Sequence, residues 1–139
     1  MNQIFIKQIG QIVMKVENIK FKAKRLDNNT WVEGYFYAEC GNTYIIEDRQ
    51  SESMLNRNEA HQVAPSTVCQ FTGLKDTNDV PIFEGNIIDF GGEGEVVFKD
   101  GAFNVKFGKY TECLLSSLVK SKESITVVGS EFDRKEGEK

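Results

Sequence analysis

Short strand-like segments separated by turn signals are the feature that most constrains the fold of this chain. From residue 63 onward they recur at intervals of about eight to twelve residues, the spacing typical of a small barrel or sandwich. The stretch QFTGLKDTNDVPIFEGNIIDF contains two interruptions, a turn at Thr77-Asn78-Asp79 and a corner at Glu84-Gly85. Glycine relieves the backbone where two strands diverge sharply. This density of turn residues therefore indicates tight folding rather than an active-site loop.

The segments that follow predict how the fold is completed. NIIDF, EVVF and AFNVKF are typical of strands, and Lys99-Asp100-Gly101 predicts a three-residue hairpin loop with a bulge. ECLLSSLVK is the one convincing helical segment, and ITVVGSEF is a closing strand. Five short antiparallel strands with a helical turn before the last have the layout of an SH3-like barrel. We therefore predict a mainly β fold, with N-terminal antiparallel hairpins and a C-terminal SH3-like small barrel containing one short helix or 3-10 turn.

The N-terminal half predicts a run of antiparallel strands. In MKVENIKFKAKRL apolar and lysine residues alternate, which is the period of a strand with one charged face. TWVEGYFYAEC and TYIIED follow as the next two strands, after a turn at residues 27–29 and around a Gly41-Asn42 hairpin signal. Residues 49–61 are polar and favour a loop over a short surface helix.

These patterns divide the chain into four parts. We expect an N-terminal extension at residues 1–13, with Met14 as a second candidate start, and an N-terminal β region at 14–62 that includes the polar loop 49–61. The SH3-like barrel is expected at 63–132 and a solvated tail at 133–139.

Charge and cysteine content narrow the function classes. The 139 residues carry a net charge of −4, which argues against a dedicated nucleic-acid binder. The three cysteines are odd in number and lack CxxC spacing, so they predict free thiols and a reducing, cytoplasmic compartment. The N-terminal segment is too short and too polar for a signal sequence or a membrane span, so no membrane association is predicted.

Motifs for catalysis and cofactor binding are mostly excluded. GGEGE lacks the Gly-Lys-Ser/Thr ending of a phosphate-binding loop, and DTND lacks the glycine and the last glutamate of a calcium loop. His61 is the single histidine, which rules out zinc sites that need two or three histidines. Cys69 lies in a strand-like run, which favours a buried structural thiol over a nucleophile. Carboxylates that could work in pairs are present but cannot be paired from sequence: Glu84, Asp89, Glu93 and Glu95. We predict no enzyme activity, no catalytic residue, no cofactor and no metal.

The best candidate functional surface is a basic strand. Lys20, Lys22 and Lys24, which we call the lysine row, share one face of the predicted strand at a spacing of ~6.6 Å and are followed by Arg25. With nearby aromatic residues they could bind single-stranded nucleic acid, or they could pair with the acidic surface of a second copy to form a homo-oligomer. The alternative, which we favour, is that lysines protect an exposed strand edge against aggregation.

Several of these segments together resemble the YopX family of bacteriophage and prophage proteins. The similarity lies in FKAKRLDNNTWVEG, in VAPSTV, in QFTGLKDTNDVPIFEGNIIDF and in GEVVFKDGAF, and it covers roughly residues 14–132, with 63–103 the most specific. The resemblance implies a mostly β protein with an SH3-type barrel in its C-terminal half, encoded by a phage or prophage. It also supports Met14 as a start, and it implies no established activity and no catalytic residue.

Two functions are therefore predicted. The first is a phage- or prophage-encoded, non-enzymatic interaction module that binds a protein partner through its barrel or a strand edge. The alternative is a nucleic-acid-binding accessory protein that uses the basic strand.

Overall fold

A computed structural model describes residues 16–47 and 59–134, and it has two antiparallel sheets. The first sheet has six strands in the order β4-β3-β2-β1-β5-β6. Its strands are β1 (Phe21–Lys24), β2 (Trp31–Glu39), β3 (Asn42–Glu47), β4 (Glu59–Gln62), β5 (Cys69–Lys75) and β6 (Pro81–Phe83). The mainly β prediction is confirmed. The predicted extension at residues 1–13 lies outside the described residues.

The second sheet has five strands in the order β10-β9-β8-β7-β11. They are β7 (Asn86–Asp89), β8 (Glu93–Lys99), β9 (Ala102–Phe107), β10 (Thr111–Leu114) and β11 (Thr126–Ser130), and helix α1 (Leu115–Ser121) precedes the last of them. The predicted short helix is confirmed. In the described part of the chain the outer strands β10 and β11 do not pair, so this sheet is open and a closed barrel is not established.

Short 3-10 turns complete the described elements, at Val16–Asn18, Pro65–Thr67 and Glu131–Asp133. The sheets do not follow the predicted division at residue 62, because β5 and β6 belong to the first sheet. Residues 59–61, which we predicted to be loop, form most of β4, whereas residues 49–58 lie in the part that the structure does not describe.

Both hairpin loops that we predicted contain two residues and differ from the predicted loops. Cys40-Gly41 connects β2 and β3, since Glu39 pairs with Asn42, so the loop lies one residue earlier than the sequence signal suggested. Asp100-Gly101 connects β8 and β9, since Lys99 pairs with Ala102. The prediction of a three-residue loop at 99–101 is therefore wrong. The φ angles are positive at both residues of each loop, at 52° and 80° and at 54° and 79°, as the tightest hairpin turns require.

Three apolar clusters hold the sheets together. The largest lies between the second sheet and α1 and contains the fully buried Ile82, Ile88, Val96, Val105 and Leu115. A second lies on one face of the first sheet, around Ala23, Val32, Ile45 and Val63. The third, on the opposite face, joins Cys69, Phe71 and Phe83 to Trp31 and Phe132. Each fully buried aliphatic side chain contributes roughly 1.5–3 kcal/mol to folding.

The corner at Glu84-Gly85 is confirmed as architectural. Gly85 has φ +85°, and a Cβ on it would lie 2.8 Å from the ring of Phe132. Its amide donates to the carbonyl of Val96 at 2.7 Å, and its carbonyl accepts from the amide of Glu131 at 2.9 Å. Glycine is required here because the C-terminal segment crosses directly over the corner.

Asp76 fastens the turn after β5 to the second sheet. Its Oδ1 accepts from the amides of Asn78 and Val80 at 2.8 and 2.9 Å, and its Oδ2 accepts from the amide of Val127 in β11 at 2.9 Å. Burial alone would raise the pKa of Asp76, but these three hydrogen bonds outweigh it and hold the pKa below its ordinary value. The DTND segment is therefore a structural turn, as predicted.

Candidate functional site

Two members of the lysine row, Lys22 and Lys24, lie on the interior strand β1, and Lys20 directly precedes that strand. β1 pairs with β2 along its whole length and with β5 through Phe21 and Lys22. The strand-edge interpretation of these lysines is therefore wrong, because a segment more than forty residues further along the chain returns to pair with β1. Their side chains project over the cluster of aromatic residues on that face of the sheet.

Lys24 is buried and holds the C-terminal turn in place. Its side-chain Nζ donates to the carbonyl of Phe132 at 2.9 Å and lies 2.8 Å from Oδ1 of Asp133. The indole Nε1 of Trp31 donates to both carboxylate oxygens of Asp133, at 3.2 and 3.1 Å. Burial would raise the pKa of Asp133, but the hydrogen bonds from Lys24 and Trp31 hold it below its ordinary value. Asp133, the first residue of the predicted solvated tail, is therefore exposed but bound to the first sheet through Lys24 and Trp31.

Lys22 lies between two aromatic rings. Its Nζ is 4.6 Å from the ring centroid of Trp31 and 4.8 Å from that of Phe83, both within the range of a cation–π contact. The pKa of Lys22 is below its ordinary value because burial disfavours the charged amine, an effect that nearby negative groups only partly offset. The amine is thus used in packing over the aromatic cluster.

The remaining two basic residues have carboxylate neighbours. Lys20 lies 4.0 Å from Glu33 and 4.8 Å from the ring centroid of Phe71. The guanidinium of Arg25 donates two hydrogen bonds to the carboxylate of Asp27, of 3.0 and 2.6 Å. The hydrogen bond from Arg25 is the main cause that holds the pKa of Asp27 below its ordinary value. All four predicted site residues therefore make contacts within the chain.

The aromatic residues near the lysine row also have neighbours within the sheet. Trp31 is half-buried and packs edge-on against Phe132, with ring centroids 6.3 Å apart. Tyr37 stacks on Tyr44 of the paired strand, with ring centroids 4.9 Å apart. These contacts use the ring of Trp31 in packing within the chain.

The edge of β10 is a second candidate surface, which the sequence did not reveal. Within the residues the structure covers, β10 pairs with β9 alone, so its other backbone edge has no strand neighbour. Tyr110, just before it, is 87% exposed, and Leu114, at its end, is 47% exposed. At the opposite edge of the same sheet, the amide of Val127 in β11 is bound by Asp76. Sequence reasoning missed β10 because three of its four residues, 112–114, were assigned to the helical segment ECLLSSLVK.

The carboxylates do form a pair, but with a partner that was not predicted. Glu95 lies beside Glu131, and its pKa is raised to about 7 by burial and by the hydrogen bond and charge of that neighbour. Lys106 and Arg134 oppose the rise. Arg134 also pairs with Glu93 at 3.2 Å. Cations therefore flank the pair and offset only part of the effect that burial and the neighbouring carboxyl group have on the pKa of Glu95.

Cys69 has the properties of a structural thiol. It is fully buried, its Sγ donates to the carbonyl of Thr67 at 3.1 Å, and burial raises its pKa to about 12. A thiol with a raised pKa has little of the thiolate needed for nucleophilic attack. The side-chain contacts of His61 are with Glu47 and Glu59 on the first sheet.

The family model for the YopX protein matches residues 7–136, nearly the whole chain. This chain belongs to the YopX family. The match begins before Met14, so it includes part of the segment that we expected to precede a family-like start. No curated protein and no solved structure matches the chain significantly.

Across residues 16–47 and 59–134, no helix has the length and the apolar character needed to cross a membrane. Cys40, Cys69 and Cys113 all lie in these residues and are free thiols, as predicted.

Proposed function

We propose that this YopX-family chain is a non-enzymatic interaction module, encoded by a phage or prophage, that binds a protein partner along the edge of β10. The observation that carries the proposal is the strand edge itself, which lies between two exposed apolar side chains, Tyr110 and Leu114. An unpaired strand edge offers backbone donors and acceptors to an added strand, and flanking side chains supply selectivity.

The rest of the description supports a small interaction domain. The strand order of the second sheet, with a helix before its last strand, supports an SH3-like arrangement of residues 86–130. Phage or prophage origin rests on the family resemblance. Free cysteines support a reducing cytoplasm as the compartment.

The alternative, nucleic-acid binding by the lysine row, has weaker support. Lys24 forms an ion pair with Asp133, and Arg25 forms one with Asp27. A phosphate would have to displace these carboxylates before the basic groups could bind it. Lysine and arginine side chains favour nucleic-acid binding because they neutralise phosphates and so release the counterions bound there. Side chains already paired with carboxylates are less available for this.

The test is affinity capture from a bacterial host lysate, with and without nuclease. The baits are the wild type, the double variant Tyr110→Ser/Leu114→Ser and, as a matched control, Val128→Ser. Val128 is an exposed apolar residue on β11, at the opposite edge of the same sheet. We expect a protein that is captured by the wild type and the control, resists nuclease treatment and is lost with the double variant. Capture that nuclease abolishes, or that the double variant retains, contradicts the proposal.

A further inference from the structure

A histidine and two glutamates converge on the outer pair of strands in the first sheet. Glu59 and His61 are two residues apart on β4 and so share a face, and Glu47 of β3 is paired directly opposite Glu59. One potential ligand atom from each residue lies within 4.8 Å of the other two. This set is far from the lysine row in sequence and has no part in the function proposed above.

The distances suit a bound metal ion. The Nε2 of His61 lies 3.0 Å from Oε2 of Glu47 and 3.7 Å from Oε2 of Glu59. Metal–ligand bonds of about 2.1 Å in a tetrahedral arrangement place neighbouring ligand atoms about 3.4 Å apart. The two observed separations lie on either side of that value, so small rotations of the exposed carboxylates would complete the geometry.

Charge and burial also favour a cation at this place. Like charges directly opposite each other on paired strands are destabilising, and Glu47 and Glu59 are such a pair. The side chain of His61 is only 11% exposed, whereas the side chains of Glu47 and Glu59 are 40% and 56% exposed.

We propose that Glu47, Glu59 and His61 form a binding site for a first-row divalent transition metal such as Zn²⁺. An imidazole nitrogen with two carboxylates suits this class, whereas Mg²⁺ and Ca²⁺ prefer oxygen ligands alone. The site is incomplete without the β3–β4 pairing, so it belongs to the folded protein.

The test is equilibrium dialysis against Zn²⁺ in a Cys40→Ser background, which removes an exposed thiol that could bind the metal by itself. We expect one zinc per chain, and at least about tenfold weaker binding in Glu47→Gln and in His61→Ala. Glu39→Gln is the matched control and should bind as the parent does, because Glu39 lies on β2 at the loop end of the β2–β3 hairpin, whereas Glu47 lies at the far end of β3.

Circular dichroism of each variant shows whether the fold is kept. If His61→Ala fails to fold, Glu47→Gln decides, because it is isosteric and changes a partly exposed side chain. Absence of binding to the parent protein overturns the proposal. Binding that Glu47→Gln leaves unchanged overturns it as well, because the ion is then held elsewhere.

Discussion

Replacement of Asp76 by Asn should destabilise the fold far more than its size suggests. The carboxylate accepts three amide hydrogen bonds, two at Oδ1 and one at Oδ2, and the last of these reaches β11. An asparagine presents one oxygen and one NH₂ group, and an NH₂ group cannot accept from an amide. At least one partly buried amide therefore loses its partner, and the remaining hydrogen bonds lose the charge of the acceptor.

The magnitude follows from these bonds. Hydrogen bonds to charged groups contribute about 1.5–3 kcal/mol each, and Asp76→Asn removes one such bond and weakens two more. We expect Asp76→Asn to lower the free energy of unfolding by roughly 2–3 kcal/mol. In a chain of this size that corresponds to a fall of roughly 8–12 °C in the thermal midpoint.

The stability of the two proteins should also depend differently on pH. The pKa of Asp76 is lower in the folded state than in the unfolded chain. Its contribution is therefore complete above the unfolded value of about 3.9 and is lost as the pH falls through the folded value. The wild type should lose its advantage over Asp76→Asn in that acidic range.

Urea unfolding of both proteins between about pH 3 and pH 7 measures both effects. Asp79→Asn is the matched control, because Asp79 lies in the same turn but its side chain is 83% exposed and pairs with the exposed Lys75. A surface pair of this kind contributes at most about 1 kcal/mol. If Asp76→Asn unfolds within about 0.5 kcal/mol of the wild type at neutral pH, the role assigned to Asp76 is refuted.

Three further predictions concern the strands and the thiols. Gly34→Ala should lower the free energy of unfolding in urea by at least about 1–3 kcal/mol, because the added Cβ would lie 1.9 Å from the carbonyl oxygen of Ile46. Gly92→Ala is the control and should have little effect, because no atom lies within 4 Å of its added Cβ. Equal stability of the two variants would contradict this prediction. A thiol reagent should label the exposed Cys40 rapidly and the buried Cys69 only after denaturation, and fast labelling of both in the native protein would be inconsistent with the described core. In fluorescence anisotropy, a single-stranded oligonucleotide should show no binding to micromolar protein at physiological salt; binding with a log–log salt slope of about −2 would instead mean that the lysine row contacts three phosphates.

The local character of the chain could be predicted from its sequence. Alternating apolar residues predicted the strands, the Glu84-Gly85 pair predicted the corner, and ECLLSSLVK predicted the helix. These predictions were possible because each feature depends on residues close together in the chain. The hairpin loops were placed less accurately. Cys40 adopts a positive φ angle that its residue type does not favour, whereas Asp100-Gly101 is a pair that two-residue hairpin loops prefer and was assigned to a longer loop.

What depends on distant pairing could not be predicted. The lysine row became interior because β5 returns to β1, and Asp133 became structural because Lys24 and Trp31 reach it. The cluster of Glu47, Glu59 and His61 exists because β4 pairs with β3, in a segment whose polar sequence favoured a loop. Pairing between remote segments is decided by the packing of whole faces, and a single sequence does not show which faces meet.

Hydrogen–deuterium exchange of the chain, alone and with the partner isolated by affinity capture, tests the central claim most directly. The claim is that a protein partner adds to the strand edge at Thr111–Leu114. We predict that the amides of this strand gain protection in the complex, while those of Thr126–Ser130 at the opposite edge are unchanged. Unchanged exchange at Thr111–Leu114, with protection appearing over the lysine row instead, would contradict the account.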